Sequence, residues 1–431
     1  MHRRTTVRAI VFVLCAACAP RSQTTVPAPG VPLKALRFGA LVDGQGRRTR
    51  DAVIVVQGDR ITSVGTGDRA VPAGAVVTDL RGYTAIPGLI DVHTHMTYWR
   101  DKAHPTGAGI SRAKDSVVMA SAENARKTLE TGVTTVRDLG ASNYTDIAMR
   151  DSINKGAMVG PRMFVAGYGL SKAVPGRDGT PPVSNPANGR ILSATEIPAA
   201  VKAQVDAGAD WIKMYGSTGT YANVTGRQTF TDAEMRVAAE AAHRLGKKIA
   251  IHSYGDSGGR AAMRAGAESI EHPAGLDDAT LAEWARGTTY YVPTIDHNRF
   301  YAENALLLGY NAEQDAGLDS FRLLNLETAR RAFKAGVKFA MGSDAVYWMF
   351  GENTRELGWF VKAGMTPAQA LATATTGGAA LLGMSDKIGN IAPGYFADIV
   401  AVAGDPLADI GVVINKVRWV MKGGVVVVDK R

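Results

Sequence analysis

The sequence predicts an α/β fold, a (β/α)8 (TIM) barrel joined to a small β-sandwich domain that both chain ends build. Three observations predict it. Short apolar runs alternate with helical stretches through residues 86–385, as in parallel strands joined by helices. Eight such runs occur, the number of strands in this barrel. Residues 33–85 and 386–431 instead contain short strand-like segments separated by tight turns.

The composition is that of a globular protein. Of the 431 residues, 46% are hydrophobic and 21% are charged, close to the averages for folded soluble chains. These values exclude disorder as the main state and a membrane protein with many spans. The formal net charge is +9, but no long Lys/Arg block carries it, which argues against a nucleic-acid partner.

The amino-terminal segment predicts export. Residues 1–19 combine a basic start with an apolar run too short to span a bilayer, as in a secretion signal, and residues 20–32 form a linker. The only two cysteines, Cys15 and Cys18, lie in this signal, so the folded part contains no disulfide. Cys18 resembles a bacterial lipoprotein processing site, although Cys15 stands where Leu is usual. We therefore expect a periplasmic protein or one anchored to a bacterial membrane through Cys18, with cleavage elsewhere in the signal as the alternative.

Both chain ends have strand and turn signals. The runs 53–56 and 61–64 flank Gln57-Gly58-Asp59-Arg60, which predicts a hairpin. Three further strands are predicted near the carboxyl end, at 398–402, 417–421 and 425–428.

The middle of the chain predicts eight barrel strands and their helices. The clearest helix covers 231–245, where Thr231 and Glu234 form a capping box and Gly246 is a stop signal. Two long connections, 168–192 and 296–319, predict functional loops at the barrel mouth, with a disordered insertion as the alternative. The predicted strands are 85–92, 133–138, 162–166, 211–215, 249–253, 269–272, 290–295 and 337–344.

Two histidines follow the first predicted barrel strand. The strand ends in His93-Thr94-His95, and residues i and i+2 of a strand share a face. Both imidazoles can therefore point into the barrel and bind one metal ion. A lone His-x-His pair is weak evidence, but this pair lies at the carboxyl end of a strand, where barrel enzymes build their sites.

Further ligand-type residues occupy other predicted strand ends. His252, His272 and Asp344 each close an apolar run, and Lys213 interrupts the run at 211–215. Each alone has a structural explanation: a hydrogen-bonded core histidine, a helix cap, or a lysine that extends to solvent. Because all of them fall at strand ends of the same barrel, a shared metal site explains the set better.

The ligand set predicts a centre of two divalent metal ions. Imidazole and carboxylate suit zinc, and cobalt or manganese also fit. A lysine amine in apolar surroundings has a lowered pKa and can take up carbon dioxide as a carbamate, whose two oxygens can bridge two metals. A water shared by two metals becomes a nucleophilic hydroxide, and Asp344 can act as general base and then general acid. The first ion is predicted to be held by His93, His95 and Asp344. The second ion is predicted to be held by His252 and His272, and Lys213 to bridge the two ions.

Five motifs stand in a fixed order: Pro87-Gly-Leu-Ile-Asp-Val-His-Thr-His95, the single Lys213, Ile251-His-Ser-Tyr-Gly255, Ser269-Ile-Glu-His272 and Gly342-Ser-Asp344. Together they resemble the amidohydrolase superfamily, in its binuclear branch that uses a carboxylated lysine. Residues 389–398 resemble the return into that family's small β-sandwich. The most similar group is related to imidazolonepropionase, and several of its members are dipeptidases or carboxypeptidases on Xaa-Pro or Xaa-Arg/Lys peptides. Some related enzymes cleave amide-linked aryl amino acids such as ochratoxin.

Three residues are predicted to contact substrate. Tyr254, two residues after His252, can donate to a substrate carboxylate or to the oxyanion. His297 lies at the predicted mouth. Arg137, which ends a strand-like run, can pair with a free carboxylate, with a surface role beside Asp138 as the alternative.

The sequence therefore predicts an enzyme that hydrolyses the amide of a dipeptide or an N-acyl amino acid with a free carboxylate. A cyclic-amide hydrolase or a deaminase on the same metals is one alternative, although Lys213 argues against a deaminase. An inactive, metal-containing surface protein that binds peptides is another. The intact ligand set with Asp344 argues against it. The expected partner is a small-molecule or dipeptide substrate, and a homo-oligomer is left open.

Overall fold

The computed structural model describes residues 30–105, 113–176, 178–220 and 223–431. The predicted signal peptide with Cys15 and Cys18, and the linker up to residue 29, lie outside the described residues. Within the described ranges, no helix combines the length and the apolar character that a membrane span requires.

The strands in the described part of the chain are numbered in chain order. They are β1 Leu33–Val42, β2 Arg48–Gln57, β3 Arg60–Thr66, β4 Val76–Pro87, β5 Leu89–Thr94, β6 Val133–Asp138, β7 Arg162–Val165, β8 Ser171–Lys172, β9 Arg190–Ile191, β10 Trp211–Tyr215, β11 Ser217–Thr220, β12 Asn223–Gln228, β13 Lys248–His252, β14 Ser269–Glu271, β15 Tyr290–Val292, β16 Lys338–Phe339, β17 Ile399–Val402, β18 Val417–Lys422 and β19 Val425–Asp429.

The α-helices of the same ranges are numbered likewise. They are α1 Lys114–Ala120, α2 Ala122–Glu130, α3 Thr145–Asn154, α4 Ile197–Asp206, α5 Asp232–Arg244, α6 Asp256–Arg264, α7 Asp278–Ala285, α8 Ile295–Glu303, α9 Ala312–Ala335, α10 Glu356–Lys362, α11 Pro367–Ala372, α12 Gly378–Leu382 and α13 Gly411–Asn415.

The middle of the chain has a TIM-barrel-like α/β fold. Strands β5-β6-β7 form one parallel sheet, and β10-β13-β14-β15-β16 form a second. In the described residues these two sheets are not joined into one closed sheet, but backbone hydrogen bonds bridge both gaps. Val92 N donates to Met341 O at 2.9 Å, and Leu170 N donates to Lys213 O at 2.8 Å. All eight predicted barrel strands are present in the predicted order, and their carboxyl ends therefore meet at one face.

Both chain ends enter a single seven-stranded sheet in the order β19-β18-β17-β4-β1-β2-β3. Only β1 and β4 pair in parallel, and the other neighbours are antiparallel. The predicted sharing of one sheet unit by the two ends is thus observed. The predicted sandwich of two packed sheets is not confirmed, because β17 extends the amino-terminal sheet through β4.

Local signals form the predicted elements at several places. The hairpin pairs β2 with β3 and sets Gln57 opposite Arg60. Helix α5 begins at its Thr231 cap, with the reciprocal bonds of a capping box to Glu234, and Gly246 follows it with a φ of 68°. These boundaries match the expected ones because each depends on neighbours within a few residues.

The two long connections differ from the expected open loops. Residues 296–319 are mostly helical, because α8 continues to Glu303 and α9 begins at Ala312 behind an Asn311/Gln314 capping box. In α8, Arg299 also pairs with Asp296 one turn away at 2.8 Å. The segment 168–192 contains the short parallel pair β8 and β9.

Candidate metal centre

The residues predicted as ligands meet at the carboxyl ends of the barrel-like strands. His93 is the last residue but one of the buried β5 strand, and His95 directly follows the strand. His272 comes directly after β14, and Asp344 lies in the segment after β16. The Nε2 atoms of His95, His93 and His272 lie 3.3, 3.5 and 3.7 Å from the Asp344 carboxylate. Residues from distant stretches of chain thus surround one carboxylate.

Hydrogen bonds fix which nitrogen of each ring faces inward. The Nδ1 atom of His95 donates to the Gly140 carbonyl at 2.8 Å, and Nδ1 of His93 donates to the Glu271 carboxylate at 2.8 Å. The Nδ1 atom of His272 is hydrogen-bonded to the Thr294 hydroxyl. With the protons on Nδ1, the Nε2 lone pairs are available to a metal, which is the usual arrangement of ligating histidines.

Burial keeps most of these histidines neutral. Burial and the charge of Lys213 together lower the pKa of His93 to about 4. Burial likewise holds the pKa of His252 and of His272 well below the usual range. For His95, burial is outweighed by the hydrogen bond and charge of Asp344, and its pKa is raised.

The carboxylate at the centre of the cluster is ionised. Burial alone would raise the pKa of Asp344, but the surrounding imidazoles, His297 and His93 foremost, hold it well below its usual range. His297 lies beside it, with Nδ1 at 2.8 Å from the Asp344 backbone oxygen and 3.3 Å from its carboxylate. Helix α8 thus places His297 next to this carboxylate, and its contact with substrate stays a prediction.

Lys213 projects from the middle of β10 into the interior and is 1% exposed. Burial lowers its pKa to about 8, with a further contribution from Arg137, while Glu271 and Asp344 oppose the shift. Its charge lowers the pKa of both His93 and His252. The side chain thus has the partly neutral amine that uptake of carbon dioxide requires.

The donor set fits a metal ion. Ligand atoms of His93, His95 and Asp344 all lie within 4.8 Å of one another, and all three residues are buried. The rings of His252 and His272 lie 4.8 Å apart, and those of His93 and His272 also 4.8 Å apart. Neutral imidazoles turned toward one carboxylate in a buried site match the preference of divalent zinc-like ions.

The backbone around the cluster is locally constrained. Asp344, His272 and Thr294 have φ values of 51°, 62° and 53°, in the left-handed region that side chains disfavour. At Gly342 a Cβ atom would lie 2.7 Å from the Cβ of His93. Only glycine lets the segment that carries Asp344 approach β5 this closely.

Comparison with known proteins follows this geometry. A model described as the amidohydrolase family matches residues 84–427. The chain belongs to the amidohydrolase family. The predicted resemblance is thereby confirmed, and the protein is a hydrolase that acts on carbon–nitrogen bonds.

Individual relatives of this amidohydrolase cover most of its length. An ochratoxinase from Aspergillus niger is 29% identical over 414 residues, which span 90% of this chain and 85% of that protein. An imidazolonepropionase from Symbiobacterium thermophilum is 27% identical over 402 residues, or 83% of this chain and 87% of that protein. The crystal structure of a Xaa-Pro dipeptidase with methionine bound in its active site has a TM-score of 0.83 and 31% identity, covering 91% of this chain and 99% of that one.

Arg137 of the amidohydrolase does not occupy the place predicted for it. It is fully buried, with its guanidinium bonded to Glu271 at 3.0 Å, to Ser269 at 3.0 Å and to the Val92 carbonyl at 2.6 Å. The surface alternative is also wrong, because Asp138 is buried as well. With every guanidinium nitrogen engaged inside the fold, Arg137 is not available to a substrate carboxylate.

Glu271 is the residue that the sequence reasoning missed. Its carboxylate joins Arg137 to Nδ1 of His93 and so orients a predicted ligand. Burial opposes ionisation, but the charges of Arg137 and His93 lower its pKa to about 2. The sequence does contain a signal for a functional role of Glu271, namely a carboxylate within an apolar strand, directly before the predicted ligand His272.

We expect Arg137→Met to lower the free energy of unfolding by about 3–5 kcal/mol, because it leaves the buried Glu271 charge without its partner. Urea denaturation measures the loss. Arg126→Met is the matched control, because it removes an exposed ion pair with Glu130 and should cost at most about 1 kcal/mol. Equal effects of the two substitutions would contradict a buried role for Arg137.

Proposed function

We propose that this protein hydrolyses the amide of a dipeptide or an N-acyl amino acid that carries a free carboxylate. The proposed enzyme uses two divalent cations, and zinc is the metal that we propose. The observations that carry the proposal are the convergence of three Nε2 atoms on the Asp344 carboxylate and the burial of Lys213 in the barrel interior. Similarity to an ochratoxinase and to a Xaa-Pro dipeptidase supports an amide substrate.

The proposed ligands divide into two groups joined by Lys213. When bound, the two cations would supply an activated water and polarise the amide carbonyl. Lys213 would join them as a carbamate, for which a pKa of about 8 provides neutral amine. The first group of ligands consists of His93, His95 and Asp344. The second group consists of His252 and His272.

The side chains of this protein would move the proton and hold the substrate. Asp344 begins as a carboxylate because its pKa is low, so it can accept a proton from the attacking water. It can then pass that proton to the leaving nitrogen. The ring of Tyr254 lies 4.4 Å from that of His252 and 5.9 Å from that of His272, which supports a contact with the oxyanion or with a substrate carboxylate.

A substrate screen tests the proposal. Zinc-reconstituted protein is incubated with libraries of dipeptides, N-acyl amino acids, cyclic amides and amino-purines or -pyrimidines, and the release of amine or ammonia is measured. Release of a free amino acid from particular carboxyl-terminal residues is the expected result. Ring opening or ammonia release alone would favour the cyclic-amide or deaminase alternative. No turnover with two metals bound would favour a peptide-binding protein.

We expect Tyr254→Phe to lower kcat/KM at least about tenfold, because it removes the hydroxyl that would donate to the oxyanion or carboxylate. Steady-state kinetics on the substrate found by the screen measure it, and metal content should not change. Tyr290→Phe, at the amino end of β15, is the control that removes a hydroxyl at the other end of the strands. Unaltered kinetics of Tyr254→Phe would reject this role.

A further inference from the structure

A polar cavity of about 370 Å³ lies against the predicted ligand His95. Tyr98 lines the cavity and stacks on the His95 ring, with centroids 4.6 Å apart. Gly140 also lines it, and its carbonyl accepts the hydrogen bond from His95 Nδ1. The cavity therefore lies directly beside the ligand cluster, where part of a substrate whose amide reaches the cluster can be bound. Its volume suits a group the size of an amino acid.

Two tyrosines line the cavity on the side where it meets the cluster. The Tyr215 ring lies 5.7 Å from the ring of His252. Gly169 makes room for Tyr215, because a Cβ at that position would lie 2.4 Å from its Cε2 atom. Within the described ranges, neither the Tyr98 nor the Tyr215 hydroxyl forms a hydrogen bond with another residue. As far as the described residues go, both hydroxyls can therefore bond to a bound molecule.

Arg190 is the cation among the described residues that line the cavity. Arg190 begins β9, where two backbone hydrogen bonds with Asn185, at 2.8 and 3.0 Å, hold it in place. Its guanidinium forms no ion pair with any described residue, whereas Arg150 and Arg162 pair with Asp210 and Asp398.

The other lining residues match this charge. None of the described residues that line the cavity is acidic. Asn143 and Asn188 add polar side chains near Arg190. A guanidinium, phenol hydroxyls and amides without a competing carboxylate form a site that favours a carboxylate ligand.

We propose that Arg190 binds a carboxylate of the substrate in this cavity and thereby selects acidic substrates. The inference rests on the proposed function and names the group that this part of the site recognises. The carboxylate has two sources, the free α-carboxylate of the substrate or the side chain of an acidic residue. Arg190 binds the same chemical group in both cases, and the experiment distinguishes the two sources.

The test measures binding of three probes to the zinc-loaded protein by calorimetry. L-glutamate and L-glutamine differ only in a side-chain carboxylate, whereas L-glutamine and L-glutamine amide differ only in the α-carboxylate. The probes are compared on the unaltered protein and on Arg190→Gln. Arg286→Gln is the matched control, because it removes the same charge beyond the carboxyl end of α7, at the opposite end of the strands. Thermal melting checks that both variants are folded.

We expect at least about tenfold tighter binding of one carboxylate probe than of its neutral partner in the unaltered protein and in Arg286→Gln. In Arg190→Gln that preference should disappear, and the pair in which it disappears identifies the source. A preference that persists in Arg190→Gln overturns the inference, and so does its absence from the unaltered protein. Binding is measured without turnover, so the two proposals can fail separately. If the substrate screen finds no turnover but the carboxylate preference depends on Arg190, the proposed function is rejected and the inference about Arg190 stands.

Discussion

Asp344→Asn should lower kcat by about 10²–10⁴-fold while the protein stays folded. The amide has the shape of the carboxylate, but it cannot take a proton from water and pass it to a leaving nitrogen. The structure gives this carboxylate the central position, with imidazole nitrogens of His95 and His297 each 3.3 Å from it. Its lowered pKa keeps it ionised and ready to accept a proton at neutral pH.

Steady-state kinetics and metal analysis of the zinc-loaded variant check this result. Asp386→Asn is the control, because it removes an exposed carboxylate outside the cluster and should leave kcat unchanged. A variant of Asp344 that keeps more than a tenth of the activity would show that another group moves the proton.

Lys213→Ala should reduce both metal content and activity. Changes to residues that merely support metal ligands typically cost 10–100-fold, so loss of a bridging ligand should exceed about a hundredfold in kcat. Bound zinc should fall below two ions per chain. Acetate or propionate should restore part of the activity, because a small carboxylate can fill the space left by the side chain and supply two oxygens.

Lys422→Ala is the matched control for this variant. Burial also lowers the pKa of Lys422 to about 8, but this lysine ends β18 of the seven-stranded sheet and its Nζ donates to the Gly160 carbonyl. Its removal should leave metal content unchanged. Unchanged zinc content in Lys213→Ala would contradict the proposed bridge.

The bridge also predicts a pH dependence. Only the neutral amine of Lys213 takes up carbon dioxide, and its neutral fraction grows as the pH rises through its pKa of about 8. At a fixed concentration of dissolved carbon dioxide, metal-free protein should therefore regain activity with zinc faster at about pH 8.5 than at about pH 6.5. A rate that does not change with pH would argue against a carbamate.

The ligand cluster could be predicted from the sequence because strand ends are local features. Each apolar run ends at a polar residue, and parallel strands bring their carboxyl ends to one face. Arg137 could not be placed in this way. All six residues of β6 are buried, so alternation along the strand does not distinguish the face toward the mouth from the face toward Glu271.

Long-range pairing limited the rest of the prediction. The sandwich was expected because both ends contain short strands, but no local pattern says that β17 pairs with β4. The helices in 296–319 were missed although Asn311 and Gln314 have capping-box spacing, since the apolar pattern there is weak. Tyr98 reaches His95 only through the course of the chain after β5, for which the sequence has no signal.

The direct continuation of β4 into β5 has a consequence for biosynthesis. β4 ends at Pro87 and β5, which carries His93, begins at Leu89, while β17 covers one edge of β4 and starts only at Ile399. During synthesis this edge stays unpaired until the final strands leave the ribosome. We expect nascent chains that stop before residue 399 to be aggregation-prone and chaperone-dependent, because they expose an open apolar strand.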